Sequence, residues 1–136
     1  MILRSALRGD VDGVLDVWRQ ADAVPSATDD APSLVRLLEV DPGALVLAEV
    51  DGALVGTLIA TFDGWRANLY RLAVVPECRR RGVARALVEE GERRARARGA
   101  RRFSALVLEA EAGAVGLWEA VGYERDPRIT RFTKTQ

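Results

Sequence analysis

Apolar positions along this chain follow two periods. Val11, Val14, Leu15, Val17 and Trp18 recur at helical spacing, with Asp10 placed as a cap. Leu34, Leu37 and Leu38 repeat that spacing behind Ser33, read here as the cap of a short helix that stops before Asp41-Pro42-Gly43. Between the two helices, Ala23 to Pro32 is rich in Pro, Ser, Thr and Asp and reads as a loop. The pattern then changes to strands. Ala44 to Val50 and Ala53 to Phe62 are apolar runs joined by Asp51-Gly52, the strongest short hairpin signal. Asp63-Gly64 closes a second turn into a strand over Arg66 to Val75.

The second half alternates element types. Gly82 to Arg98 is a predicted helix with Val83, Leu87, Val88 and Ala95 on one face and Gly99 as its stop. Glu89–Arg93, Glu90–Arg94 and Glu92–Arg96 are spaced to pair on its outer side. A strand over Arg101 to Leu108, a helix over Ala112 to Ala120 ended by Gly122, and a short strand over Ile129 to Thr133 follow. With an edge strand over Ile2 to Leu7, six strands and four helices are expected in an α/β (α+β) arrangement with helices on both faces of a mixed sheet.

Length and composition narrow the field. The 136 residues suit a single domain, and 49% apolar residues suffice for a core. No stretch of about eighteen apolar residues suggests a membrane span, and Met1 to Ser5 lacks the apolar centre of a secretory signal. A cytoplasmic protein is expected. Twenty basic and twenty acidic residues cancel, which argues against a protein built to hold nucleic acid. The clusters Arg79–Arg81, Arg93–Arg98 and Arg101–Arg102 are offset by glutamates, with no interleaved aromatic platform. Histidine is absent and Cys78 is the lone cysteine, so no Ser-His-Asp triad, zinc site or other metal site is expected. For Cys78 itself no activating base is in view.

The stretch Leu72-Ala73-Val74-Val75-Pro76-Glu77-Cys78-Arg79-Arg80-Arg81-Gly82-Val83-Ala84 carries the most chemistry. It reads as a strand, a basic turn and the start of a helix. The first N–H groups of a helix have no partner inside it, and the aligned peptide dipoles add partial positive charge there. Gly82 and Ala84 carry almost no side chain, so a phosphate can approach the backbone. Arginines at the rim add charge-assisted bonds. Alone, the hexapeptide Arg79 to Ala84 fits a solvated basic turn before an amphipathic helix equally well.

A second pattern lies downstream: Ala114-Val115-Gly116-Leu117-Trp118-Glu119-Ala120-Val121-Gly122-Tyr123. Together the two segments resemble the GCN5-related N-acetyltransferase (GNAT) family, in particular small bacterial members of the ribosomal-protein-alanine-acetylating type. The resemblance is strong from Tyr70 to Tyr123 and looser elsewhere. It implies a mostly antiparallel sheet of six to seven strands whose splayed central pair forms a slot for acetyl-CoA as co-substrate. By the same resemblance, Leu72, Ala73 and Val74 would meet the pantetheine arm. Arg79, Arg80, Arg81, Gly82, Val83, Ala84 and Arg85 would wrap the pyrophosphate, and Trp118 would lie against the cofactor.

The sequence departs from that family where protons move. A tyrosine that often reprotonates the leaving thiolate is here Trp118, and a glutamate base of the ribosomal type is here Leu106. A frequent asparagine is Glu111. Substitute catalytic candidates are Glu109, Glu111 and Tyr70, though each also suits a cap, a surface charge or a packed strand residue. Trp65, Asp63 and Tyr70 are candidates for the acceptor side, where an aromatic ring beside a carboxylate suits a cationic amine. Trp18 suits that role or the core. The acceptor pocket is expected from Trp18 to Pro32, Asp63 to Arg66 and Arg125 to Arg131. The expected activity is acetyl transfer from acetyl-CoA to a primary amine, on a protein N-terminus or a small molecule. The alternative is an acetyl-CoA-binding sensing or partner-binding domain. Neither nucleic acid nor membrane is an expected partner, and the chain would act as a monomer or homodimer.

Overall fold

A computed structural model describes residues 1–109 and 112–136. They divide into two compact units, Met1–Leu106 and Val107–Gln136.

The first unit contains a five-stranded sheet in the order β1 (Ile2–Ser5), β2 (Leu45–Val50), β3 (Ala53–Phe62), β4 (Ala67–Val74) and β5 (Phe103–Ala105). The first four strands pair antiparallel, and β5 runs parallel to β4. The hairpin between β2 and β3 turns on Asp51 and Gly52, both left-handed at φ 51° and 79°, as a two-residue turn of matching twist requires. The turn into β4 is closed by the Asp63 carboxylate, which accepts from the N–H groups of Trp65 and Arg66 at 2.8 Å each.

Helices α1 (Val11–Gln20) and α3 (Val83–Ala97) lie on opposite faces. Trp18 of α1 bonds Thr57 of β3, whereas the preceding residue, Gly56, faces Val83 and Leu87 of α3. Successive strand residues point to opposite faces. Leu58 and Ala60 continue the α3 side, where Gly91 lets the helix approach. Leu45, Leu47, Leu58, Leu69, Leu87 and Val14 are among the fully buried side chains. Val83, Leu87, Val88 and Ala95 form the inner face of α3 as their spacing predicts.

Several details differ from expectation. Helix α2 (Ala31–Val40) begins two residues before Ser33. Its cap is Asp30, whose carboxylate accepts from the Ser33 N–H at 2.8 Å, with Pro32 in the first turn where no N–H is needed. Asp10 makes no side-chain cap to α1; its carboxylate turns back to the Leu7 N–H and to Arg4. On α3, Arg93 and Arg94 both pair with Glu90, so Arg93 reaches three residues back for its partner. The strand expected over Arg101 to Leu108 shortens to Phe103–Ala105.

The second unit holds α4 (Ala112–Ala120), ended by Gly122 at φ 99°. Trp118 and Tyr123 meet edge to face with centroids 4.9 Å apart. The segment 129–133 forms no strand, and Ile129 and Phe132 are 69% and 92% exposed. Five strands thus stand among the described residues, where six to seven were expected. No helix among them is long and apolar enough to cross a membrane.

Candidate functional site: a bulged strand edge leading to a basic turn

The centre of the first unit is a bulge in β4. Thr57 faces Ala73 and Ile59 faces Tyr70, so two steps along β3 match three along β4. The extra residue is Arg71, with φ 51°. A non-glycine residue in that region costs about 1–2 kcal/mol. Its surroundings offset the strain. The Arg71 carbonyl accepts from the Thr57 hydroxyl at 3.0 Å, and Thr57 Oγ1 accepts from Trp18 Nε1 at 2.9 Å. The Arg71 guanidinium lies 5.2 Å from the Trp18 ring centroid and forms an ion pair with Asp29.

The bulge decides which backbone groups reach the strand edge. Before it, the Ala67 N–H donates to the Arg102 carbonyl at 2.9 Å, and the Leu69 carbonyl accepts from the Leu106 N–H at 3.3 Å. Odd-numbered residues there face β5. After it, the Val75 N–H donates to Val55 of β3 at 2.9 Å, so odd-numbered residues face β3 instead. By strand alternation, Leu72 and Val74 turn their N–H and C=O groups to the other edge. Pairing with β5 ends at Leu69–Ala105. Among the described residues, no strand pairs with this edge of β4 beyond that point.

The open edge runs directly into the basic turn. A 3-10 turn over Pro76–Cys78 leads to Arg80 and Gly82, left-handed at φ 64° and 80°. Alternating left-handed residues curl successive N–H groups inward around an anion. The first bond of α3 runs from the Ala86 N–H to the Gly82 carbonyl at 3.0 Å, so the amides of Val83, Ala84 and Arg85 precede it. A Cβ built on Gly82 would touch nothing within 4 Å, so the space beside Gly82 is open. Val83 is buried and anchors the helix, while Arg80, Arg81 and Arg85 are exposed. The donor set and the space fit a pyrophosphate.

Arg79 sits differently from its three neighbours. Its Nε donates to the Val74 carbonyl at 3.2 Å and its Nη2 to the Ala21 carbonyl at 3.3 Å. It ties the open edge to the connector between α1 and α2. Cys78 is a buried free thiol in the turn ahead of it.

The remaining candidates scatter. Tyr70 is half-buried beside the bulge. Trp65 is 70% exposed, with the Arg66 guanidinium 4.0 Å from its ring centroid. It lies six residues before the bulge, about 20 Å along an extended strand, with the β5-paired stretch Ala67–Leu69 between. Asp63 is occupied by the turn it caps, and those N–H groups hold its carboxyl below the usual range. Trp18 is buried and bonded, a structural residue of the bulge. In the second unit, the exposed Glu109 accepts from Arg125 Nη1 at 3.1 Å, and Trp118 is buried. Glu111 lies outside the described residues. A shallow cleft of about 220 Å³ between Phe62, Arg94 and Arg98 is away from the open edge, and its guanidiniums are engaged by Glu90, Ser5, Gly43 and Asp41.

Sequence reasoning alone missed Thr57, Arg71 and Asp29. Arg71 gave no signal, because nothing in Ala67 to Val74 interrupts a strand pattern. Asp29 sat in a stretch recognisable only as loop.

A mixed five-stranded sheet with helices on both faces and a bulged fourth strand leading to the start of α3 is the α/β fold of known N-acetyltransferase structures. The chain belongs to the acetyltransferase (GNAT) family, whose model matches residues 13–123, and is an N-acetyltransferase. It is 32% identical to an acetyltransferase of Pectobacterium atrosepticum over 130 residues, covering 96% of this chain and 92% of that one. A PaiA N-acetyltransferase from Thermoplasma acidophilum, solved in complex with coenzyme A, shares the fold at TM-score 0.80 and 15% identity, over 92% of this chain and 90% of that one. The ribosomal-protein-S18-alanine N-acetyltransferase of Escherichia coli does so at TM-score 0.72 and 21% identity, over 89% and 76%.

Proposed function

We propose that this enzyme transfers acetyl from acetyl-CoA to a primary amine by direct attack in a ternary complex, the amine being a protein N-terminus or a small molecule. One observation carries the reading: the edge of β4 left unpaired by β5, from the Arg71 bulge to Val74, leads through the Pro76–Cys78 turn to the left-handed residues Arg80 and Gly82. Acetyl-CoA, when bound, supplies an activated thioester.

The chain's own residues do the rest. The amides of Val83, Ala84 and Arg85 hold the pyrophosphate, with Arg80, Arg81 and Arg85 at the rim and Arg79 bracing the turn through Val74 and Ala21. Leu72, Ala73 and Val74 hold the pantetheine arm. The Leu72 N–H, turned to the open edge, is a preorganised donor for an oxyanion; such donors typically lower a barrier by about 3–4 kcal/mol. Holding amine and thioester in attack geometry contributes more, up to roughly 7–11 kcal/mol. Tyr70, beside the bulge, is nearest in sequence to the reacting centre and is favoured as an acceptor contact or proton carrier. Glu109 and Glu111 are the carboxylate candidates for proton removal, and Trp118 is a candidate cofactor contact. Trp65 and Asp63 are the candidates for an acceptor large enough to reach the far end of β4.

The test pairs calorimetry with CoA against an acceptor screen that follows free-thiol release from acetyl-CoA. Binding of CoA with turnover on amines is the expected result. Binding with no turnover across a broad amine panel would leave a ligand-sensing role in its place, and no binding at all would remove both.

A further inference from the structure

The connector between α1 and α2, residues 21–30, has no regular structure to hold it, yet it is fastened to the rest of the first unit at both ends of the open β4 edge. At the bulge, Arg71 Nε donates to Asp29 Oδ1 at 3.1 Å, its Nη2 pairs with the other carboxylate oxygen of Asp29, and the same Nη2 donates to the Val24 carbonyl at 2.9 Å. At the basic turn, Arg79 Nη2 takes the Ala21 carbonyl. The Asp29 carboxylate also accepts from the Ser26 N–H at 2.9 Å, so the ion pair orders the interior of the connector as well as its end. Both partners are mostly buried, with side chains 21% and 15% exposed, which spares the pair much of the screening that weakens surface pairs.

We infer that Arg71 is a positioning residue for acceptor binding: from the bulge it pins residues 21–30 alongside the open strand edge, so that the wall facing the reacting centre is assembled before the amine arrives. The inference rests on the transferase reading above. The guanidinium fork suits the task because one side chain satisfies a carboxylate by two nitrogens and a carbonyl besides. Lysine carries its three donors on one nitrogen and lacks the planar fork that here reaches Asp29 from two nitrogens and the Val24 carbonyl besides. Preassembly matters because ordering a ten-residue connector on each encounter would be charged against acceptor affinity.

The backbone allows a clean experiment. Glycine adopts φ 51° without strain, so Arg71→Gly keeps the bulge and deletes the latch. Asp29→Asn breaks the pair from the other side. Amide hydrogen exchange over residues 21–30, calorimetry with CoA, and steady-state kinetics with ethylamine as the minimal primary amine are measured on the full chain. Both variants are expected to exchange the connector amides at least 10-fold faster and to keep CoA affinity within about 3-fold. Both should raise the KM for ethylamine about 10-fold or more with kcat nearly unchanged, and the double variant should be no worse than the worse single one. Arg71→Lys should recover part of the protection and part of the KM. Unchanged exchange, or a loss of CoA affinity with KM for the amine intact, would overturn the inference. Wild-type protein that binds CoA but leaves ethylamine untouched would count against the transferase reading, while the exchange result still decides the latch.

Discussion

The indole N–H of Trp18 donates to the Thr57 hydroxyl at 2.9 Å, and through that hydroxyl a core residue of α1 supports the strained carbonyl of Arg71 in β4. Thr57 is fully buried and serves as acceptor and donor at once. Thr57→Val keeps the shape and removes both bonds. Each partner left unsatisfied in the interior costs about 1–3 kcal/mol. Urea unfolding should show a loss in that range or up to twice it. Trp18→Phe in the Thr57→Val background should cost less than Trp18→Phe alone, because the shared bond is already gone.

Gly91 lies mid-helix on the buried face of α3. A Cβ there would stand 2.7 Å from Leu58 Cδ2 and 3.1 Å from Ala60 Cβ. Alanine normally gains about 1 kcal/mol over glycine inside a helix. Overpacking a buried contact costs about 1–3 kcal/mol, and Leu58 is itself fully buried with little room to turn. Gly91→Ala should therefore lower stability on balance, with Tm falling by roughly 3–5 °C. Gly13→Ala in α1 is the matched control. Its Cβ would sit 3.4 Å from Leu54 Cδ2, an ordinary contact, so calorimetry should show it neutral or stabilising.

Glu90 receives bonds from Arg93 at 2.7 and 2.8 Å and from Arg94 at 2.8 Å, and these bring its pKa down from 4.5 to about 2. A carboxylate whose folded pKa lies below its unfolded value stabilises the fold above the unfolded value. That contribution fades as pH falls from about 4.5 to about 2. Arg94 also holds Ser5 and the Gly43 carbonyl, so protonating Glu90 loosens a junction as well as a surface pair. Denaturation midpoints of Glu90→Gln should show a shallower acid dependence across that window than wild type. Equal slopes would mean Glu90 is not the group involved.

Much of the frame is legible in the sequence because local rules and tertiary needs agree there. Asp51-Gly52 names a two-residue turn, Gly82 stands at a left-handed helix start, and Gly99 stops α3 at φ 109°. The site's central distortion is not legible. A left-handed arginine has no local cause. Arg71 is held by Thr57 from β3, Trp18 from α1 and Asp29 from the connector, none of them close in sequence. The arginine run hides a difference in a related way. Arg79 to Arg81 look equivalent as letters, yet Arg79 spends its guanidinium on two carbonyls. The Ile129–Thr133 stretch alternates like a strand, but alternation shows only that a strand is permitted; Ile129 and Phe132 stay exposed without sheet pairing.

Gly82 separates backbone need from ligand need. It sits at φ 80°, yet a Cβ there meets no atom within 4 Å. A Cβ meets no clash there, so the cost of adding one lies in the left-handed backbone, about 1–2 kcal/mol. Asparagine tolerates that region better than most residues. Gly82→Asn should therefore fold with a small loss of Tm and, being neutral, weaken CoA only modestly. Gly82→Glu should fold comparably but set a carboxylate before the amides of Val83, Ala84 and Arg85. Calorimetry should show CoA affinity reduced by about 100-fold or more, equivalent to about 2.7 kcal/mol, with the difference between Glu and Asn shrinking as salt is raised. A Glu variant that binds CoA like wild type would place the pyrophosphate elsewhere on the chain. A variant that fails to fold would show instead that this turn is held by glycine for the backbone alone.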